Sequence, residues 1–191
     1  MDQTAVAGVS FGAQARGGMP LGVRVANFYE VCCYAHKGGP LLWREHIKNL
    51  TVTQGLNDIL TKYFTGSSYT AAWYVGLINN ASFTALAAGD TSQQINGSNG
   101  WIEDTAYSAG VRQTLTLGSA SAGSISNTAS PASFTMNASG TLNGAFIATT
   151  STQGAGAGGT VLYGEASFSS TQAYASGNVI TVTVTLTMVS T

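Results

Sequence analysis

"VITVTVTLTM" (Val179–Met188) is the stretch that decides the fold. Ile180, Val182, Val184, Leu186 and Met188 take one set of alternate positions, and Thr181, Thr183, Thr185 and Thr187 take the other. Successive side chains of a strand point to opposite faces, so this is a β-strand with one apolar and one hydroxyl face. No Lys or Glu interrupts it. An uncharged, β-prone strand invites pairing at any free edge. The expectation is that something covers this strand, or that an assembly holds it.

The same economy of charge extends through the chain. Only 8% of the 191 residues are charged, against about 25% in ordinary soluble domains. From Gln113 to Thr191 the only charged side chain is Glu165. Gly, Ala, Ser, Thr and Asn stand in for charge, while alternating Val, Ile, Leu and Phe argue for a folded body and against disorder. The net charge of −1 provides no electrostatic footprint for nucleic acid and no polybasic membrane patch. No apolar run is long enough to span a bilayer. The opening MDQTAVAGVSFGAQARGG has no basic region followed by an apolar run, and so does not read as a secretory signal. The sequons at Asn49, Asn80, Asn96 and Asn137 are chance matches in so Asn/Ser/Thr-rich a chain and carry no weight without a secretory route.

Working back from the last strand, segments rich in β-branched and aromatic residues recur between Gly-, Ser-, Asn- and Pro-containing turns. They are AAWYVGLI (71–78), WIEDTAY (101–107), VRQTLTL (111–117), ASFTM (132–136), TLNGAFIAT (141–149) and TVLYGEASF (160–168). Short strands at this spacing indicate an antiparallel β-sandwich, jelly roll or barrel. Residues 23–50 read as a hairpin turning at HKGGP. Residues 54–64 read as the one short α-helix, because Leu56, Ile59, Leu60, Tyr63 and Phe64 follow helical spacing. Thr53 would cap it, Gly66 would stop it, and its apolar face would lie on a sheet. Residues 79–100 form a long polar loop of the kind that is functional, disordered or ordered by a partner. Residues 1–20 read as an extended N-terminal arm, and 21–191 as a single mainly β domain.

No constellation of catalytic residues emerges. His36 and His46 with the adjacent Cys32 and Cys33 match no zinc-module spacing, and neighbouring thiols in a strand diverge. The pair reads as two small core or semi-buried thiols from a reducing compartment. No G-x-S-x-G occurs, and the serines lie mostly in the half without histidine. Glu103 and Asp104 also diverge in a strand, and Arg112 is placed to pair with one of them across a hairpin. Gly154–Gly159 matches G-x-G-x-x-G, but a strand-like segment follows where the dinucleotide fingerprint needs a helix. Trp43, Trp73, Tyr74, Trp101 and Phe146 fit a core better than a sugar platform, although loop 79–100 keeps carbohydrate binding in view. No enzyme activity, cofactor or metal is expected.

The order of segments also resembles a family of tailed-bacteriophage structural proteins. The resemblance is carried by WREHIKNLTVTQGLNDILTKYFTGSSYTAAWYVGLI, then GWIEDTAYSAGVRQTLTLGSASAGSISNTASPASFTMNASGTLNGAFI, GTVLYGEASF and GNVITVTVTLTM, covering most of the chain from about residue 43 onward. It implies a jelly-roll-type virion module, made in the bacterial cytoplasm, with no catalytic residues to carry over. The role it implies first is a capsid cement or decoration protein. Its partners would be the major capsid protein and further copies of itself, as a dimer or trimer, with no nucleic acid and no membrane. The alternative is a tail-fibre or host-recognition module that touches a glycan.

Overall fold

The computed structural model describes residues 23–66, 72–97, 100–154, 156 and 159–190. The expected arm at 1–20 lies outside them. The first strands are β1 (Val23–Val25), β2 (Asn27–Tyr34) and β3 (Leu41–Thr51), followed by helix α1 (Thr53–Phe64). Then come β4 (Tyr74–Asn79), a 3-10 turn (Ser92–Ile95), β5 (Ile102–Asp104), β6 (Gln113–Thr114) and β7 (Ser124–Ser126). The chain ends with β8 (Ala132–Thr135), β9 (Gly140–Ala148), β10 (Leu162–Tyr174) and β11 (Val179–Ser190). The fold is mainly β, and every pairing between these strands is antiparallel.

The alternating stretch lies in β11, and β11 is a central strand. On one side it pairs with β2 from Val179↔Tyr34 to Thr185↔Phe28, and with β1 at Val25↔Met188. On the other it pairs with β8 and β7. Its edges are therefore satisfied within the chain, which explains why the threonine face needs no charged guard. The charges of that outer face stand on the neighbouring strands instead. Glu30 of β2 lies opposite His46 of β3, with Oε2 2.8 Å from His46 Nε2.

The hairpin at 23–50 forms as its pattern indicates, with Gly38 at φ +74° in the turn. β3 then carries the sheet into a second layer, because Thr51 and Leu50 pair with Gly164 and Glu165 of β10. From there the order runs β10-β9-β4-β5, with β6 also on β4. Val31, Phe134 and Val182 of the first half share one buried cluster with Leu77, Leu142 and Ile147 of the second. The sheet thus folds over onto itself, and the main core lies between two packed layers.

Alternation puts Ile78, Phe146 and Leu162 on the opposite face of the second layer, in a smaller cluster with Ile95 and Trp101. The segment after β4 covers that face. Of the alternatives for this loop (functional, disordered or ordered by a partner), its described residues are ordered by contacts within this chain. Thr91 forms a capping box with Gln94, and Ile95 is fully buried. Gly76 makes room for this packing, since a Cβ there would meet the Phe146 ring at 2.2 Å.

Three expectations need correcting. First, VRQTLTL yields only the two-residue β6, and WIEDTAY only β5. Between them the chain leaves the ladder, with Tyr107 bridging to Met136 and Val111 to Thr152. Second, β7 was not anticipated, while β10 runs past Phe168 to Tyr174. Third, α1 does not lay its apolar stripe on the sheet. Gly55 presses against β10 so closely that a Cβ would meet Tyr163 O at 2.3 Å. That approach turns Val52, Gly55, Ile59 and Lys62 inward and leaves Leu56, Leu60, Tyr63 and Phe64 exposed. One residue is roughly 100° on a helix, so the stripe is rotated about that far from the sheet. The N-cap is Val52, without a side-chain bond, and the Thr53 hydroxyl donates instead to Ala88 O at 3.0 Å. Gly66, at φ +68°, does stand just beyond the helix end.

Candidate functional site

The close approach at Gly55 fixes where a cavity opens. The first turn of α1 is pinned to β10 and to the 3-10 turn: Val52 N–H donates to Tyr163 O (3.2 Å), and Gln54 Oε1 accepts from Leu162 N–H (2.8 Å) and Ser92 N–H (3.1 Å). Beyond that turn, a cavity of about 500 Å3 lies between the helix and the sheet. Ile59, Lys62 and Tyr63 line it from α1, and Trp73, Leu115, Ile147 and Tyr163 from the second layer and its approaches. Ile125 of β7 and Leu186 and Met188 of β11 close the far side.

Several of its polar groups have partners within the chain. Asn27 donates through Nδ2 to Thr51 Oγ1 (2.9 Å) and Tyr163 OH (3.2 Å), and its Oδ1 accepts from Thr187 N–H (3.1 Å). Burial raises the Tyr163 phenol above its ordinary pKa. Asp58 and Lys62 bridge at 2.8 Å, i to i+4, and the Lys62 ammonium stands 5.8 Å from the Trp73 ring centre. Trp73 meets Tyr163 edge-on at 5.5 Å. Aromatic and aliphatic walls that carry a few fixed polar atoms are the kind of lining found in apolar ligand sites. The cavity brings together no nucleophile and base.

The residues weighed from sequence fall elsewhere. His36 sits at the exposed turn with Nδ1 3.1 Å from Lys37 O, and His46 pairs with Glu30. Cys33 points into the core, where burial pushes its thiol up to about 11. Cys32 points to the other face, 3.4 Å from Arg44 Nε. Among the described residues, no three His, Cys, Asp or Glu side chains converge in a way that would hold a metal ion. Trp101 and Phe146 are core, whereas Trp43 and Trp73 are only partly buried.

Glu103 and Arg112 do pair, and both are fully buried. Arg112 Nε and Nη2 donate to the two Glu103 oxygens at 2.8 Å each, and Nη1 donates to Thr150 O at 2.9 Å. The Gly154 N–H also donates to Glu103 Oε2, at 2.6 Å. The glycine-rich stretch is thus tied at its start to a protein carboxylate, between strands β9 and β10 and with no helix following. Asp104 accepts from Tyr174 OH and Asn79 Nδ2, each at 2.7 Å. Neither carboxylate opens toward the cavity, whose lining includes neither.

The cavity itself escaped sequence reasoning. Its walls come from the ends of separate elements, and β7, which supplies Ile125, is only the three residues Ser-Ile-Ser. No protein-family model matches the chain, and a search of curated proteins gives no match.

Proposed function

We propose that this chain is a structural protein of a tailed-bacteriophage virion, a jelly-roll-type cement or decoration protein that binds the outer surface of the major capsid protein lattice. The observation that carries the reading is apolar surface left open on a charge-poor body. Tyr63 is 80% exposed and Phe64 73%, on a helix whose Leu56 and Leu60 face outward beside them. Large side chains in such a patch belong to interfaces. The segment-by-segment resemblance to phage structural proteins supplies the context. Each contact would be modest, and repetition over a lattice would sum them. The arm at 1–20 would bridge to neighbouring subunits, and the body would meet further copies of itself.

Copy number tests this directly. A cement protein is expected at tens to hundreds of copies in a quantitative gel of purified virions, and a few copies would move the assignment to a tail appendage. Chains lacking residues 1–20 are expected to bind capsids at lower occupancy, and undiminished occupancy would remove the arm from the mechanism.

A further inference from the structure

We propose that the outer face of β1, β2 and β3 docks an acidic protein surface. The reason lies in how the fold sorts charge. A net charge of −1 hides an asymmetry between inside and outside. Glu45, Asp90, Glu103, Asp104 and Glu165 are buried, and Asp58 is mostly covered beside Lys62. The basic residues divide the other way. Arg112 is buried, but Arg24, Lys37, Arg44 and Lys48 are all exposed. Among the described carboxylates Glu30 keeps the most access to water, with its side chain 35% exposed.

Strand register gathers the cations. Arg44, His46 and Lys48 take alternate positions along β3, so they share a face. Through Cys32↔Arg44, Glu30↔His46 and Phe28↔Lys48 that face continues onto β2. It crosses to β11 through Thr185↔Phe28 and reaches β1 through Arg24↔Val189. Lys37 stands in the turn between β2 and β3. Among the described residues no carboxylate pairs with Arg24, Lys37 or Lys48, while Arg44 Nε stands 3.8 Å from Glu30 Oε1. With the acids inside and these cations outside, the face presents a positive potential to whatever approaches it.

The texture of the face selects the class of partner. Arg24 lies four residues before Phe28, so roughly 14 Å separates it from Lys48. Phe28, 49% exposed, and Val189, 40% exposed, stand beside them on the same face. Glu30 interrupts the row, with Oε2 2.8 Å from His46 Nε2. Separated cations with aromatic and aliphatic contacts among them suit a folded surface that offers scattered Asp and Glu. A nucleic acid presents closely spaced phosphates and rewards an unbroken basic track, which Glu30 breaks. The inference uses neither α1 nor the cavity, and it stands whether or not the virion reading holds.

Fluorescence anisotropy of a labelled decaglutamate peptide, titrated with the full chain, tests this. Wild type is expected to bind at low ionic strength, with affinity falling on the order of tenfold as salt rises to physiological strength. Arg24→Ser/Lys48→Ser should weaken binding several-fold with an unchanged circular dichroism spectrum, since both side chains are exposed. Asn57→Asp/Thr116→Asp shifts the net charge equally from exposed positions on α1 and beyond β6, and should bind nearly as well as wild type. No binding by wild type, or equal binding by wild type and the Arg24/Lys48 variant, would overturn the proposal. So would equal losses in the two double variants, because net charge alone would then explain binding. An oligothymidylate of matched charge that displaces the peptide and binds more tightly would overturn the choice of a protein partner.

Discussion

Glu165 is the only Asp, Glu, Lys or Arg after Arg112, and it is fully buried in the second layer. Its Oε2 accepts from Trp101 Nε1 at 2.9 Å, while its Oε1 has no hydrogen-bond partner. Burial, with the Asp90 carboxyl beside it, pushes its pKa from an ordinary 4.5 to about 9. The folded chain therefore holds a proton that the unfolded chain releases above pH 4.5. Stability should fall as pH rises from about 4.5 to about 9, by up to about 1.4 kcal/mol per pH unit from this group. Glu165→Gln keeps the shape and the Trp101 bond without an ionisable group. Denaturant unfolding at several pH values should show the variant losing that slope and gaining over wild type toward pH 9. Parallel slopes for the two chains would mean that Glu165 is charged in the fold. The ion pair of Glu103 and Arg112 makes the opposite case, in which burial is compensated by two short bonds and by the ties to Thr150 and Gly154. Arg112→Met strands the Glu103 carboxylate and should cost about 3–5 kcal/mol in chemical denaturation. Adding Glu103→Leu should recover much of that loss, and an additive double variant would contradict the assigned coupling.

Helix α1 shows what a pattern reveals about an element and what it withholds. Its existence and end were legible, because apolar spacing and Gly66 specify them from local chemistry alone. Its orientation was not. The spacing of Leu56, Leu60, Tyr63 and Phe64 announces an apolar stripe, but the contact with β10 is set by the absent side chain at Gly55. A glycine in a helix reads locally as a weakness of about 1 kcal/mol relative to alanine. Here it is the point of closest approach, so the usual sign should reverse. Gly55→Ala ought to destabilise by about 1–3 kcal/mol despite the better propensity, since the new methyl group overlaps Tyr163 backbone. A rise in thermal midpoint would show that the helix shifts at no cost. β11 and the hairpin of β2 and β3 were legible for the converse reason, since period-two alternation sets a strand and its faces at once. β6 and β7 were not, because two or three residues are too few to display a period. The buried pair of Glu103 and Arg112 was legible as a pairing, although its grip on Gly154 depends on which loops the topology brings together. The cavity was illegible altogether, because α1, β7, β10 and β11 meet there only after the sheet has folded over.

At the scale of the molecule, the balance is between apolar surface and charge. Long-range repulsion between copies is weak in a chain of net charge −1, so little opposes association once an apolar patch is exposed. Among the described residues the outer face of α1 is such a patch, whereas the edges of β11 are taken up inside the fold. Self-association should therefore run through the helix and leave the sheet intact. Wild-type protein is expected to show sedimentation coefficients that climb with concentration. Added salt should not dissolve the complexes, because apolar burial is not screened as charge pairs are. Leu60→Lys/Phe64→Lys places two cations on the patch, where neither native side chain supports the core. That variant should sediment as a monomer at concentrations where wild type associates, with a thermal midpoint close to wild type. If it associates as strongly as wild type, the contact lies elsewhere on the body. If wild type itself stays monomeric throughout, self-association through the exposed helix face is refuted.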